Sequence, residues 1–123
     1  MPFTIVENQI DGGYSSGVYC DIDDTLIFWK AKRIDGKFQL IPYLNQEVVD
    51  LLRQFESNGK SITLWTGGDA KSTHEKISHF NLPWEMAPKD KYRGQAVEIA
   101  IDDEGVDSYG IQVKKLYLYS KGE

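Results

Sequence analysis

From Gly17 onward the chain alternates short apolar runs with polar breaks. "GVYCDI", Gly17 to Ile22, is apolar on both parities, as expected of a strand buried on both faces, and it follows the turn-forming "DGGYSS". In "LIFWKAKRIDGKFQLIPY" two β-prone arms flank Asp35-Gly36, a dipeptide suited to a tight turn, which predicts a hairpin over about residues 27–43. In "NQEVVDLLRQFESNGK" the residues Val48, Val49, Leu51, Leu52 and Phe55 recur at helical spacing, with Asn45 as N-cap and Gly59 as stop. "SITLW" (61–65) reads as a second buried strand and "DAKSTHEKISHF" as a helix capped by Asp69. "AVEIAI" (96–101) reads as a third strand and "KKLYLYS" as a fourth. Alternating strands and helices predict an α/β fold, a mainly parallel sheet with helices covering its faces.

No repeat, low-complexity tract or linker interrupts this pattern, so residues 1–123 are expected to form a single domain. The net charge of -5 argues against a wholly basic nucleic-acid binder. Cys20 is the single cysteine and has no internal disulfide partner, which suits a reducing cytosol. The start "MPFTIVENQIDGG" lacks the pattern of a signal peptide, and no apolar run reaches membrane-spanning length. A cytoplasmic protein without membrane contact is expected.

In parallel sheets ligands bind beyond the carboxyl ends of the strands. The first strand ends in Asp21-Ile22-Asp23-Asp24-Thr25, "SITLW" in Thr66-Gly67-Gly68, and "AVEIAI" in Asp102-Asp103, with Lys89 and Lys91 in the preceding loop. Carboxylates converging there repel one another unless a cation offsets them. Oxygen ligands in that number suit a hard divalent ion, and the Thr hydroxyl and glycine amides suit a phosphate.

These residues resemble the motif set of the haloacid dehalogenase (HAD) superfamily of phosphotransferases. "DIDDT" looks like its D-x-D-x-T signature, Thr66 like its second motif, Lys89 like its third, and "IDDEGVD" like its acidic fourth. The resemblance implies a three-layer Rossmann-like HAD core, a hairpin flap after the first strand, and no large cap domain. It also implies a magnesium-dependent phosphomonoester hydrolase working through an aspartyl-phosphate. Asp21 would be the nucleophile and Asp23 the acid and then base, its main-chain carbonyl also on the metal. Thr66, Gly67 and Lys89 would hold the phosphoryl group, and Asp103 with Asp102 would bind Mg2+ beside Asp21. Gly68 stands where the family often has arginine, and Lys91 rivals Lys89 for the lysine role. Only 13 residues separate Lys89 from Asp102, which leaves little room for a helix. Asp107 falls at a later acidic position of the family.

Without a cap the site would be open, to be covered by another subunit, by the hairpin, or by a large substrate. The hairpin carries Trp29, Lys30, Lys32, Arg33 and Lys37, a mixture that fits a phosphorylated polymer or nucleic-acid end as well as a plain solvated surface. His74 and His79 read as surface residues and Cys20 as core packing. Two other classes compete: a HAD-like module that binds phosphate or a partner without turnover, and a receiver-type signalling domain. The receiver would need its acceptor Asp on a strand near position 55, where this chain places a helix.

Overall fold

The computed structural model describes residues 2–120. Eight strands and two α-helices form in the order β1 Phe3–Glu7, β2 Ser15–Asp21, β3 Ile27–Ile34, β4 Lys37–Leu44, α1 Gln46–Ser57, β5 Ile62–Thr66, α2 Ala70–Ile77, β6 Glu85–Pro88, β7 Ala96–Asp102 and β8 Gln112–Tyr119. Short 3-10 turns follow at Ser78–Phe80, Lys89–Tyr92 and Asp107–Tyr109. Six strands make one sheet in the order β1-β8-β7-β2-β5-β6, while β3 and β4 pair separately. Strands β8, β7, β2, β5 and β6 run parallel to their neighbours, and β1 closes the β8 edge antiparallel, so the sheet is mixed.

The expected three-layer Rossmann-like core is corrected here. The described residues form a small α+β domain with eight strands, two α-helices and a mixed sheet, whereas a HAD core would need more helices and a larger domain. Both helices serve the same face: Val48, Val49 and Leu52 of α1 and Ile77 of α2 pack with Val18, Cys20, Leu64 and Ile101. The opposite face carries no α-helix among the described residues. Tyr19, Trp65 and Ala100 are covered there by Val106, Ile111, Tyr92 and Tyr109, from the 3-10 turns and their flanks. The Tyr19, Trp65 and Tyr92 rings lie 5.0–5.7 Å apart and fill the volume a helix would occupy. A layer of rings and short turns needs far less chain than a helix, which is how the 13-residue interval is accommodated.

Local chemistry explains the elements that position the site. Asn45 caps α1 by accepting from the Glu47 amide, and Asp69 caps α2 by accepting from Lys71. Helix α2 stops at Ile77 and tightens into the 3-10 turn before left-handed Asn81, shorter than the helix expected from the pattern. In the hairpin, Asp35 and Gly36 both take positive φ, and the arms pair from Ile27 opposite Leu44 to Ile34 opposite Lys37. Strand β1 had no counterpart in the sequence pattern. Its exposed Thr4 and Ile5 belong to a half-solvated edge rather than to the core. Among the described residues no helix is long and apolar enough to cross a membrane.

One glycine fixes how β2 enters the sheet. Gly17 has φ +102°, and a Cβ there would collide with the Ser61 side chain and approach the Ser61 carbonyl. Its amide donates to Glu98 Oε1 at 2.8 Å, and the next amide, Val18, donates to that Ser61 carbonyl at 2.8 Å. Gly17→Ala combines a strained backbone with a clash and should cost about 2 kcal/mol of stability. Urea unfolding of the purified variant measures it. A loss under about 0.5 kcal/mol, the level of an ordinary surface change, would show that the β2 entry relaxes freely.

Candidate functional site

Four mutually parallel strands end at one edge and carry the polar residues there. Cys20 pairs with Ile101 and Asp21 with Trp65, so the ends of β7 and β5 flank the end of β2. Thr66 pairs with Pro88 of β6, and the next residue, Lys89, therefore emerges at the same edge. The Lys89 ammonium sits between two carboxylates, 2.8 Å from Asp21 Oδ1 and 3.1 Å from Asp102 Oδ2. All three side chains are buried. Lys91 is exposed, with its ammonium beside the Tyr92 ring, so geometry brings Lys89 rather than Lys91 into the cluster.

Asp21, Asp102 and Asp103 place carboxylate oxygens within 4.8 Å of one another. Their second contacts differ. Asp102 Oδ1 accepts from the Glu104 and Gly105 amides, and its Oδ2 faces Lys89, so Asp102 is held on both oxygens. Asp103 is half-buried and lies 3.4 Å from the Thr25 hydroxyl. That hydroxyl also donates to Asp21 Oδ2 at 3.1 Å. Three carboxylates against one ammonium leave an excess of two negative charges, the charge a divalent cation supplies. An all-oxygen donor set of this spacing fits a hard ion.

The electrostatics carry the same imbalance. Burial, and then the charge of Asp102, raise the Asp21 carboxyl from its ordinary 3.8 to about 7, against the pull of Lys89 and Thr25. Asp103 is raised by burial and by Asp102. Burial works to lower Lys89, but the charges and hydrogen bonds of Asp21 and Asp102 outweigh it and raise the ammonium above its ordinary value. Lys89 therefore stays charged, and Asp21 is the group under strain.

The remaining expected residues are placed as follows. Asp23 is exposed, and its Oδ1 accepts from Trp29 Nε1 at 2.8 Å. Its carboxylate lies outside the three-carboxylate group, which leaves its main-chain carbonyl as the atom for the metal role expected of it. Thr66 is buried and accepts from the Gly68 amide at 3.1 Å, while Gly67 and Gly68 are exposed at the strand end. A Cβ on Gly67 would meet the Tyr109 hydroxyl, the tip of a side chain that would have to turn aside. The side chain of Asp107 lies outside the described residues. Cys20 is fully buried in the helix-covered core, and His74 and His79 are exposed.

Two positioning residues were not singled out from the sequence. Thr25 is fully buried and links Asp21 to Asp103; its place as the last letter of D-x-D-x-T was the available signal. Asn45 donates from Nδ2 to the Thr25 carbonyl at 2.8 Å, and its amide donates to Leu26 O at 2.8 Å. The residue that starts α1 thus also fixes the loop after β2. The tight turn between them has the Ile22 carbonyl accepting from Thr25, Leu26 and Ile27, with Asp24 at φ +64°.

The raised Asp21 value sets a direction for stability. A carboxyl whose folded value lies above its unfolded one stabilises the fold fully below the unfolded value, and that contribution is lost as pH rises through about 7. In metal-free buffer the parent should therefore lose about 2 kcal/mol relative to Asp21→Asn between pH 5 and pH 8. Chemical denaturation of both proteins across that range checks it. Parallel pH profiles would show that Asp21 titrates as an ordinary carboxylate.

Comparison of the chain with protein-family models, with curated proteins and with solved structures returns no match, so the chemistry of this edge is argued from its own geometry.

Proposed function

We propose that the protein is a divalent-metal-dependent phosphomonoester hydrolase, with magnesium as the ion, and that Asp21 is its nucleophile. The observation that carries this reading is the buried Asp21–Lys89–Asp102 cluster with Asp103 and Thr25 beside it, at an edge shared with Thr66 and Gly67. The resemblance of "DIDDT", Thr66, Lys89 and "IDDEGVD" to HAD motifs supports it at the level of chemistry, independently of the fold.

In this reading an Asp21 oxygen attacks phosphorus, forming a P–O bond to the carboxylate as the bond to the leaving oxygen breaks. Thr25 holds Asp21 Oδ2 and turns the other oxygen toward Lys89. Lys89, the Thr66 hydroxyl and the Gly67 amide receive the phosphoryl oxygens. Asp23, on the exposed side next to Trp29, gives a proton to the leaving oxygen. Water then attacks the aspartyl-phosphate, Asp23 takes its proton, and phosphate departs with the Asp21 carboxylate restored. Asp21, Asp103 and Asp102, with the Asp23 carbonyl, would hold the metal, whose charge lowers the barrier between two anions and keeps Asp21 ionised. A cytoplasmic location suits the lone buried thiol of Cys20.

Hydrolysis of a phosphomonoester panel should require Mg2+ and cease with EDTA, and Asp21→Asn should lower kcat by at least about a thousandfold with the fold intact by circular dichroism. Activity of the Asp21→Asn protein within about tenfold of the parent would remove Asp21 from the nucleophile role. Asp23→Asn separates the acid from the nucleophile. Its loss, typically 10²–10⁴-fold for a general acid, should be large for an alkyl phosphate and small for a nitrophenyl ester whose leaving group needs no proton. Equal losses on both would leave Asp23 without the acid role.

A further inference from the structure

The hairpin has two chemically distinct faces, and only one of them looks onto the site. Side chains alternate along paired strands, so Trp29, Ala31 and Arg33 share a face with Phe38, Leu40 and Pro42, the residues opposite them in register. Lys30, Lys32 and Lys37 fall on the other face, where the Lys30 ammonium sits 5.0 Å from the Tyr43 ring. A cleft of about 610 Å³ runs from Asp23 and Gly68 between this hairpin and α2, and its hairpin wall is Trp29, Leu40 and Pro42. None of the three hairpin lysines lines it.

We propose that this cleft binds the leaving group of the substrate, and that the substrate is the monophosphate ester of a compact organic alcohol carrying a planar ring. The proposal rests on the phosphatase reading for the phosphate but on separate observations for the ring. The cleft is continuous with the site, because Asp23 and Gly68 belong to both. Its volume is that of a small-molecule pocket, mostly apolar with a few polar groups. The Trp29 indole is fixed by its hydrogen bond to Asp23 and packs against the core, which presents a preordered flat face for stacking. On the opposite wall Ser72 and Lys76 lie one turn apart on α2, so a hydroxyl and an ammonium meet the ring's acceptor atoms from one side. Asp23 beside Trp29 and Asp69 at the start of α2 also line the cleft and disfavour any anionic group beyond the transferred phosphate. Inside the cleft a long polyanion would meet Lys76 but none of the hairpin lysines, and Arg33 lies farther along the same hairpin face.

The test uses the full-length Asp21→Asn protein with Mg2+, titrated calorimetrically with inorganic phosphate, glycerol phosphate, naphthyl phosphate and nucleoside 5′-monophosphates. Ring-bearing phosphates should bind at least about tenfold tighter than glycerol phosphate. Adding Leu40→Asp, a change at a 65% exposed position, should abolish that advantage and leave inorganic phosphate within about twofold. The naphthyl and nucleoside arms separate a plain aryl group from a base with acceptor atoms, which Lys76→Gln should weaken only in the second case. Equal affinity for ring-bearing and glycerol phosphates, or an advantage untouched by Leu40→Asp, overturns the proposal. Steady-state hydrolysis by the parent keeps the two readings apart. Ring-selective binding without turnover rejects the phosphatase and keeps the cleft; turnover without ring selectivity rejects the cleft alone.

Discussion

A buried ammonium held between two buried carboxylates organises this protein. Lys89 reaches Asp21 and Asp102 only because β6 lies beside β5, β2 beside β5 and β7 beside β2, all in the same direction. Removing one partner from such a cluster leaves an uncompensated buried charge and typically costs 3–5 kcal/mol. Yet the arrangement is not optimised for stability, since a second and a third carboxylate crowd one cation. Burial first, and then the charge of Asp102, raise Asp21 toward 7. The fold keeps an unfavourable charge pattern at one edge, as functional sites commonly do, and spreads its apolar packing elsewhere.

That division explains which parts of the structure the sequence made legible. Strand ends were readable because apolar runs stop abruptly at Asp21, Thr66 and Asp102, and the two helices because Asn45 and Asp69 cap clear periodic segments. What lay on the far face of the sheet was not readable. Strands that are apolar on both parities look alike whether a helix or a set of rings covers them. Here Val106, Ile111, Tyr92 and Tyr109 cover the strand residues Tyr19 and Trp65, and the short interval between Lys89 and Asp102 was the only hint. The resemblance to a three-layer core supplied helices for that face by analogy, and the described residues form none there. Strand β1 went unread for a different reason, because an edge strand with exposed Thr4 and Ile5 has no periodic signature.

Site residues divide along the same line. Asp21, Asp102, Asp103, Thr66 and Lys89 converge because strand register alone brings them together. Thr25 and Asn45 depend on a loop whose hydrogen bonds cannot be counted from residue types. Asn45 does two things with one side chain: its oxygen caps α1, and its nitrogen holds the Thr25 carbonyl. Helix α1 is therefore anchored to the loop that orients Asp21. Asn45 thus ties α1 to Thr25, the hydrogen-bond partner of Asp21, so loosening α1 would be felt at Asp21 through that residue.

The hairpin shows what alternation adds to composition. By composition its lysines and arginine suggest a polyanion, and the sequence alone could not say which of them shared a face with the site. Register separates them: the wall beside Asp23 is Trp29, Leu40 and Pro42, and the lysines stand behind it. A basic outer face then has a different physical effect. With a net charge of -5 on the whole chain, lysines on the back of the hairpin would, in the proposed reading, offset part of the negative field that an approaching phosphate meets, without occupying the cleft. Such an effect acts at a distance, is screened over about 8 Å at physiological salt, and is indifferent to the shape of the leaving group. In the proposed reading shape selection would fall to the apolar wall, while the three lysines act from the opposite face and Arg33 from the same one.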